Sequence, residues 1–183
     1  MAISYTYSQC EHPEASAVEY RTQFGSLDNY RRGRVEPIDD DPKRYAFSNL
    51  FDVAAHSKPY EKVAVGKNLQ YVIEAIRAEG TSGWRVADHD ETALVMDGEV
   101  TVELLDLADP GAVDPGTEGS IGLAGEPEGT PMGHAVARRG HMVLLPARRA
   151  YRFSAARPSV ILLQTISGRD TVEKWSTICQ TMV

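Results

Sequence analysis

From Tyr60 onward the chain is divided into nine short runs of β-type side chains: YEKVAV, LQYVIEAIRA, ETALVM, EVTVELL, HAVAR, HMVLL, RAYRFSA, SVILLQTI and VEKWSTI. Branched and aromatic side chains fit a pleated, half-buried surface, so short runs of them separated by turn residues predict strands. Several alternate with a period of two. In EVTVELL, Val100, Val102 and Leu104 share one face, and Thr101 and Glu103 share the other. With so little helix between the runs, parallel crossovers have no material to be built from, and the expected fold is an all-β antiparallel barrel or sandwich. Asp97-Gly98 lies between two runs and predicts a two-residue type I′ hairpin turn, which needs positive φ at both positions.

Size and charge narrow the class. A chain of 183 residues is near the usual size of one compact domain and can bury a core without disulfides or a structural metal. Its net charge of -7, from 26 acidic and 19 basic side chains, repels phosphate backbones and anionic lipid, so neither nucleic acid nor a membrane is an expected partner. Cys10 and Cys179 lie near opposite ends in no metal-ligand spacing, which fits a reducing compartment. No apolar run approaches the roughly 18 residues that span a bilayer. The start MAISYTYSQCEHPE has neither the basic nor the apolar region of a signal peptide, so a soluble cytoplasmic protein is expected.

Residues 1–58 read as an N-terminal arm, extended and carrying short helices, and residues 59–183 read as the barrel. One helix is expected at roughly 13–23, opened by Pro13; a second is expected behind Ser48, an N-cap for NLFDVAAH. The stretch 109–133, DPGAVDPGTEGSIGLAGEPEGTPMG, is rich in Gly, Pro and acidic residues and predicts a long surface loop.

Two segments carry the chemistry. GWRVADHDETALVMDG, from Gly83 to Gly98, and GHMVLLPARRAY, from Gly140 to Tyr151, resemble in frame the two motifs of the cupin superfamily, G-x5-H-x-H-x(3,4)-E-x6-G and G-x5-P-x-G-x2-H-x3-N. The resemblance implies a double-stranded β-helix, or jelly-roll barrel, in which ligands from different strands converge on a metal. Most of those ligands are missing here. Counting back from Gly98, Glu91 falls on the carboxylate position, but the histidine positions hold Ala87 and Arg85, or Val86 and Trp84. In the second motif Gly140 and Pro146 fit, whereas Arg148 replaces a glycine, Tyr151 the third histidine and Ala155 the asparagine. No metal is therefore expected in this chain.

An inward carboxylate left charged and unpaired costs several kcal/mol, so Glu91 needs a partner, and Arg85, Arg149 and Tyr151 are the candidates. Glu91 reads either as a structurally paired remnant or as a ligand contact, and Tyr151 either as a core aromatic with its hydroxyl satisfied or as a substrate contact. His89 and His141 are hydrogen-bonded structural residues unless they join Glu91 in an unorthodox metal site. Arg148, Arg149 and Arg152, with Arg138 and Arg139 nearby, form either a solvated strand edge or a surface for a carboxylate-rich partner. The chain has no P-loop, dinucleotide fingerprint, GxSxG elbow or HExxH helix.

The arm segment YRRGRVEPIDDDPKRYAFSNLF, the run KNLQYVIEAIRAEGTSGW leading into DETALVMDGEVTVEL, and the closing VILLQTISGRDTVEKWSTIC resemble the small subunit of the two-component hydroquinone 1,2-dioxygenases. These act in bacterial breakdown of 4-nitrophenol and hydroquinone. The resemblance implies an α2β2 heterotetramer in which a larger cupin subunit holds Fe(II) and O2 opens an aromatic diol to 4-hydroxymuconic semialdehyde. It implies no catalytic residue and no cofactor in this chain. Tyr20, Phe24, Tyr30, Tyr45, Phe47 and Phe51 in the arm are then candidate partner contacts. Two alternatives stay open. One is a metal-independent cupin isomerase or epimerase using Glu91 with Tyr151 or His141 as acid and base; the other is a non-enzymatic small-molecule-binding cupin.

Overall fold

The computed structural model describes Leu27 and residues 50–174. The first expected helix, together with Tyr20, Phe24, Tyr30, Tyr45 and Phe47, lies outside the described residues. The second expected helix is present as α1, Leu50–His56, with Asp52 in its first turn and His56 in its last, which complements the helix dipole.

Ten strands follow: β1 Lys62–Asn68, β2 Tyr71–Thr81, β3 Arg85–Ala87, β4 Glu91–Asp97, β5 Glu99–Leu107, β6 Ser120–Gly122, β7 Gly129–Arg138, β8 Met142–Leu145, β9 Arg149–Ile166 and β10 Thr171–Val172. They form one strongly curled, mostly antiparallel sheet, and the long β9 is its spine. One edge of β9 pairs with β2 and with Arg85 of β3. Its other edge pairs with β4 over Val160–Gln164 and with β5 over Arg149–Ser154. The short β1–β10 pairing, Lys62 with Thr171 and Val63 with Val172, is parallel and departs from the antiparallel expectation.

Three expectations are corrected. RAYRFSA and SVILLQTI are one strand, continuous through Pro158. Proline has no N–H to give, and the strands on both sides of β9 shift register near it, between Ala78 and Gly80 on β2 and between Val95 and Asp97 on β4. Asp97-Gly98 is therefore not a hairpin turn, because β4 and β5 do not pair with each other; they lie end to end along β9 and bend together at its corner. Gly98 does have the positive φ, +77°, and a Cβ there would sit 2.1 Å from Ser159 Oγ. The stretch 109–133 is not a structureless loop. It contains a 3-10 turn at Pro110–Ala112, the strand β6, which pairs with β3, and the first residues of β7, which pair with β5. Backbone pairing needs no large apolar side chains, so a Gly-rich segment with an exposed face hid two strand segments from the periodicity.

The main core lies inside the curl, where Ile76, Val95, Val102, Phe153, Ile161 and Leu163 are all nearly inaccessible. A second cluster of Trp84, Leu105 and Ala150 packs under the segment that follows β6, with Leu123 against it. Trp84 donates to Glu126 at 2.8 Å, and the Arg152 guanidinium stacks 4.6 Å from its ring centre.

Candidate functional site

Glu91 is the first residue of β4 and Tyr151 lies near the start of β9; alternation turns both inward, leaving each 1% exposed. The Tyr151 hydroxyl donates to Glu91 Oε2 at 2.6 Å. Of the three candidate partners for Glu91, the phenol that replaces the third histidine is the one that bonds it. Burial pushes the Tyr151 phenol well above the usual tyrosine range, and the adjacent Glu91 charge adds to this. Glu91 Oε1 accepts from no group among the described residues.

Beside this pair lies a second buried polar group that sequence reasoning missed. Lys62 and Glu74, 3% and 0% exposed, form an ion pair with Nζ 3.1 Å from Oε2. The contact is Coulombic rather than a well-directed hydrogen bond, since that oxygen has no partner by hydrogen-bond geometry. Lys62 Nζ donates to Ser120 Oγ at 2.8 Å, and the Thr171 hydroxyl donates to Glu74 Oε1 at 2.6 Å. Burial raises the Glu74 carboxyl above its usual range, opposed by Lys62 and Thr171 and reinforced by the charge of Glu91. A signal for Glu74 was present: Val72, Glu74, Ile76 and Ala78 alternate on the inward face of β2, and all four are buried. Ser120 gave no such signal because its strand was hidden in the Gly-rich stretch.

Arg85 faces Tyr151 across the β3–β9 register, but its guanidinium turns to the Ser120 carbonyl at 2.8 Å and to Asp170 at 2.6 Å. His89 is half-buried; its Nε2 lies 2.9 Å from Thr165 Oγ1 and accepts from the Ile166 N–H at 3.3 Å. His141 is exposed in the β7–β8 turn, where its Nδ1 accepts from the Arg138 N–H at 3.0 Å. Glu91 and Tyr151 are thus brought together, Arg85 stands beside them, and His89 and His141 are bonded elsewhere. Among the described residues no group of three or more His, Cys, Asp and Glu side chains converges on a common point.

The basic cluster is already neutralised within the chain. Arg138 pairs with Glu99, Arg139 with Asp97, Arg148 with Asp88, Arg149 with Asp106, and Arg152 with Glu103 and Glu126. Arg148 occupies the glycine position of the second motif and keeps a glycine-like φ of +60°. Its guanidinium donates to Asp88 at 2.7 Å and to the Val113 carbonyl at 3.1 Å. Asp88 also accepts from the Gly116 N–H, and that bond, with Arg148 second, holds its carboxyl below the usual range.

No protein-family model matches the chain, and no curated protein matches it. Solved structures do. Hydroquinone 1,2-dioxygenase from Sphingomonas sp. TTNP3, crystallised with 4-hydroxybenzoate bound, contains a chain 54% identical to this one at a TM-score of 0.82, with 90% of this chain and 100% of that chain covered. The chain belongs to the hydroquinone 1,2-dioxygenase family. A chain of hydroquinone 1,2-dioxygenase PnpCD, in complex with Cd2+ and 4-hydroxybenzonitrile, is 55% identical at a TM-score of 0.79, covering 91% of this chain and all of that one. A longer chain from the Fe3+ complex of PnpCD shares the fold alone: 12% identity, TM-score 0.50, with 75% of this chain aligned to 37% of that one. The chain is thus a subunit of that dioxygenase family, built on a curled β-sheet that buries the Tyr151–Glu91 pair.

Proposed function

We propose that this chain is the iron-free small subunit of a two-component, Fe(II)-dependent hydroquinone 1,2-dioxygenase. A larger cupin subunit holds the iron, and the two form an α2β2 assembly in the cytoplasm. The assembled enzyme cleaves the ring of hydroquinone with O2 to give 4-hydroxymuconic semialdehyde. Support for the family comes from 54–55% identity over the whole length of two dioxygenase chains. The observation that carries the assignment of roles is the Tyr151–Glu91 bond.

Iron does not fit these residues. Glu91 is a single carboxylate, a neutral phenol with a raised pKa stands where an imidazole belongs, and the neighbouring carboxylate Glu74 is already committed to Lys62 and Thr171. No catalytic step is assigned to this barrel. Its residues fill the interior, exclude water from it and present a rigid outer surface to the partner. A metal-independent isomerase would need an acid and base reachable by substrate, whereas Glu91 and Tyr151 are 1% exposed and His141 lies on a surface turn.

The test is expression of this chain alone, of the larger cupin chain alone, and of both together, with ring cleavage followed as semialdehyde formation. Turnover is expected at full level only in the co-expressed complex. Full turnover by this chain alone would overturn the proposal.

A further inference from the structure

Among the described residues seven large apolar side chains are exposed, and four of them lie on one sector of the outer face: Tyr71 at 59%, Ile73 at 44%, Met142 at 68% and Leu144 at 57%. The strand register shows that they are continuous. Ile73 of β2 leads through Gln164 of β9 and Thr92 of β4 to Leu144 of β8, a single cross-strand row. In the next row Leu162, Leu94 and Met142 are neighbours, and the first two are half-buried. No charged residue occurs in either row, although 25% of the chain is charged. Charge returns only one row further on, at Arg77 and Asp97, and both are neutralised within the chain by Glu79 and Arg139. Helix α1 borders the face, where the Ala55 carbonyl accepts from Arg77.

An uncharged, apolar, methionine-bearing centre inside a paired polar rim is the composition of a protein–protein interface rather than of open solvent surface. Four strands about 4.8 Å apart and two rows make a face on the order of a few hundred Å². A stable complex buries roughly 800 Å² per partner, so this face is the size of the desolvated centre of such an interface, with surrounding elements supplying the rest. A different chain is at hand as the occupant: PnpCD, one chain of which is 55% identical to this one, also contains a longer chain that shares only the fold.

We infer that the outer face of β2–β9–β4–β8, centred on Ile73, Leu94, Leu162 and Leu144, docks the larger cupin subunit. This rests on the subunit reading above and places the central contact on the barrel wall.

Ile73→Lys and Leu144→Lys, made singly in the co-expressed complex, put a charge into that centre while leaving the interior untouched. Val136→Lys, at a 50% exposed position on β7, is the control. Sedimentation and co-purification should show assembly with the larger chain weakened roughly 30-fold or more in the first two and unchanged in the control, with melting midpoints alike. Unchanged assembly in both face variants would overturn the assignment. So would hetero-assembly that persists while self-association of this chain is lost, since the face would then serve a second copy. If the unsubstituted chain fails to assemble with the larger subunit at all, the subunit reading itself falls and the face assignment goes with it.

Discussion

Glu91 and Tyr151 behave as one unit: a buried carboxylate held by a buried phenol at 2.6 Å. Removing the donor in Tyr151→Phe leaves that carboxylate without its hydrogen bond and should cost about 1–3 kcal/mol. Glu91→Gln keeps an acceptor for the phenol and removes the charge, so it should cost less. Chemical denaturation of both variants checks this, and the opposite ranking would contradict it. Glu74 carries a pH signature. Its carboxyl holds a proton to higher pH in the folded chain than the usual 4.5. Its contribution to stability is therefore complete below that pH and is lost as pH rises through the raised folded value. Glu74→Gln cannot ionise and should flatten that limb of the stability curve; a curve parallel to that of the unsubstituted chain would contradict the account. At this scale the need of Glu91 for a partner was legible, because period-two alternation turns it inward at the start of β4, where Tyr151 bonds it. Lys62, Ser120 and Thr171 could not be found that way, since they meet through three strands that are distant in the chain.

At the level of elements, the existence of most strands was legible and their pairing was not. Period-two alternation shows which side of a strand faces the core, but not which neighbour it takes. Asp97-Gly98 illustrates this. The glycine is required, at a φ of +77° and with Ser159 against its missing side chain, yet the requirement comes from the barrel corner and not from a hairpin. Gly98→Ala should destabilise the fold by about 2 kcal/mol or more, from left-handed backbone strain and a clash with Ser159. A thermal melt within a degree of the parent would refute this. Arg148 shows the converse, a lost glycine whose backbone conformation persists at +60°. Arg148→Ala and Arg148→Gly both lose the Asp88 bond, but only the glycine variant sheds the strain, so it should be the more stable of the two by about 1 kcal/mol. Equal stability would mean that the position carries no strain. The acidic, Gly-rich stretch 109–133 hid β6 because pairing with β3 comes from its backbone, which composition does not report.

For the whole molecule, one curled sheet encloses an interior that holds two buried polar pairs, Tyr151–Glu91 and Lys62–Glu74. Its outer wall offers an uncharged face of the kind that a subunit interface needs. The many short strands were readable from the chain alone, because side-chain type and alternation mark a half-buried pleated surface. Where the partner binds was not, because that face is assembled from four strands brought together only by folding. The central claim is that this barrel supplies no ligand to iron and its partner supplies all of them. The most direct measurement is iron content and turnover number of the purified two-chain complex carrying Glu91→Gln in this subunit. Iron per complex and kcat equal to those of the unsubstituted complex are expected; loss of iron in proportion to loss of turnover would contradict the account.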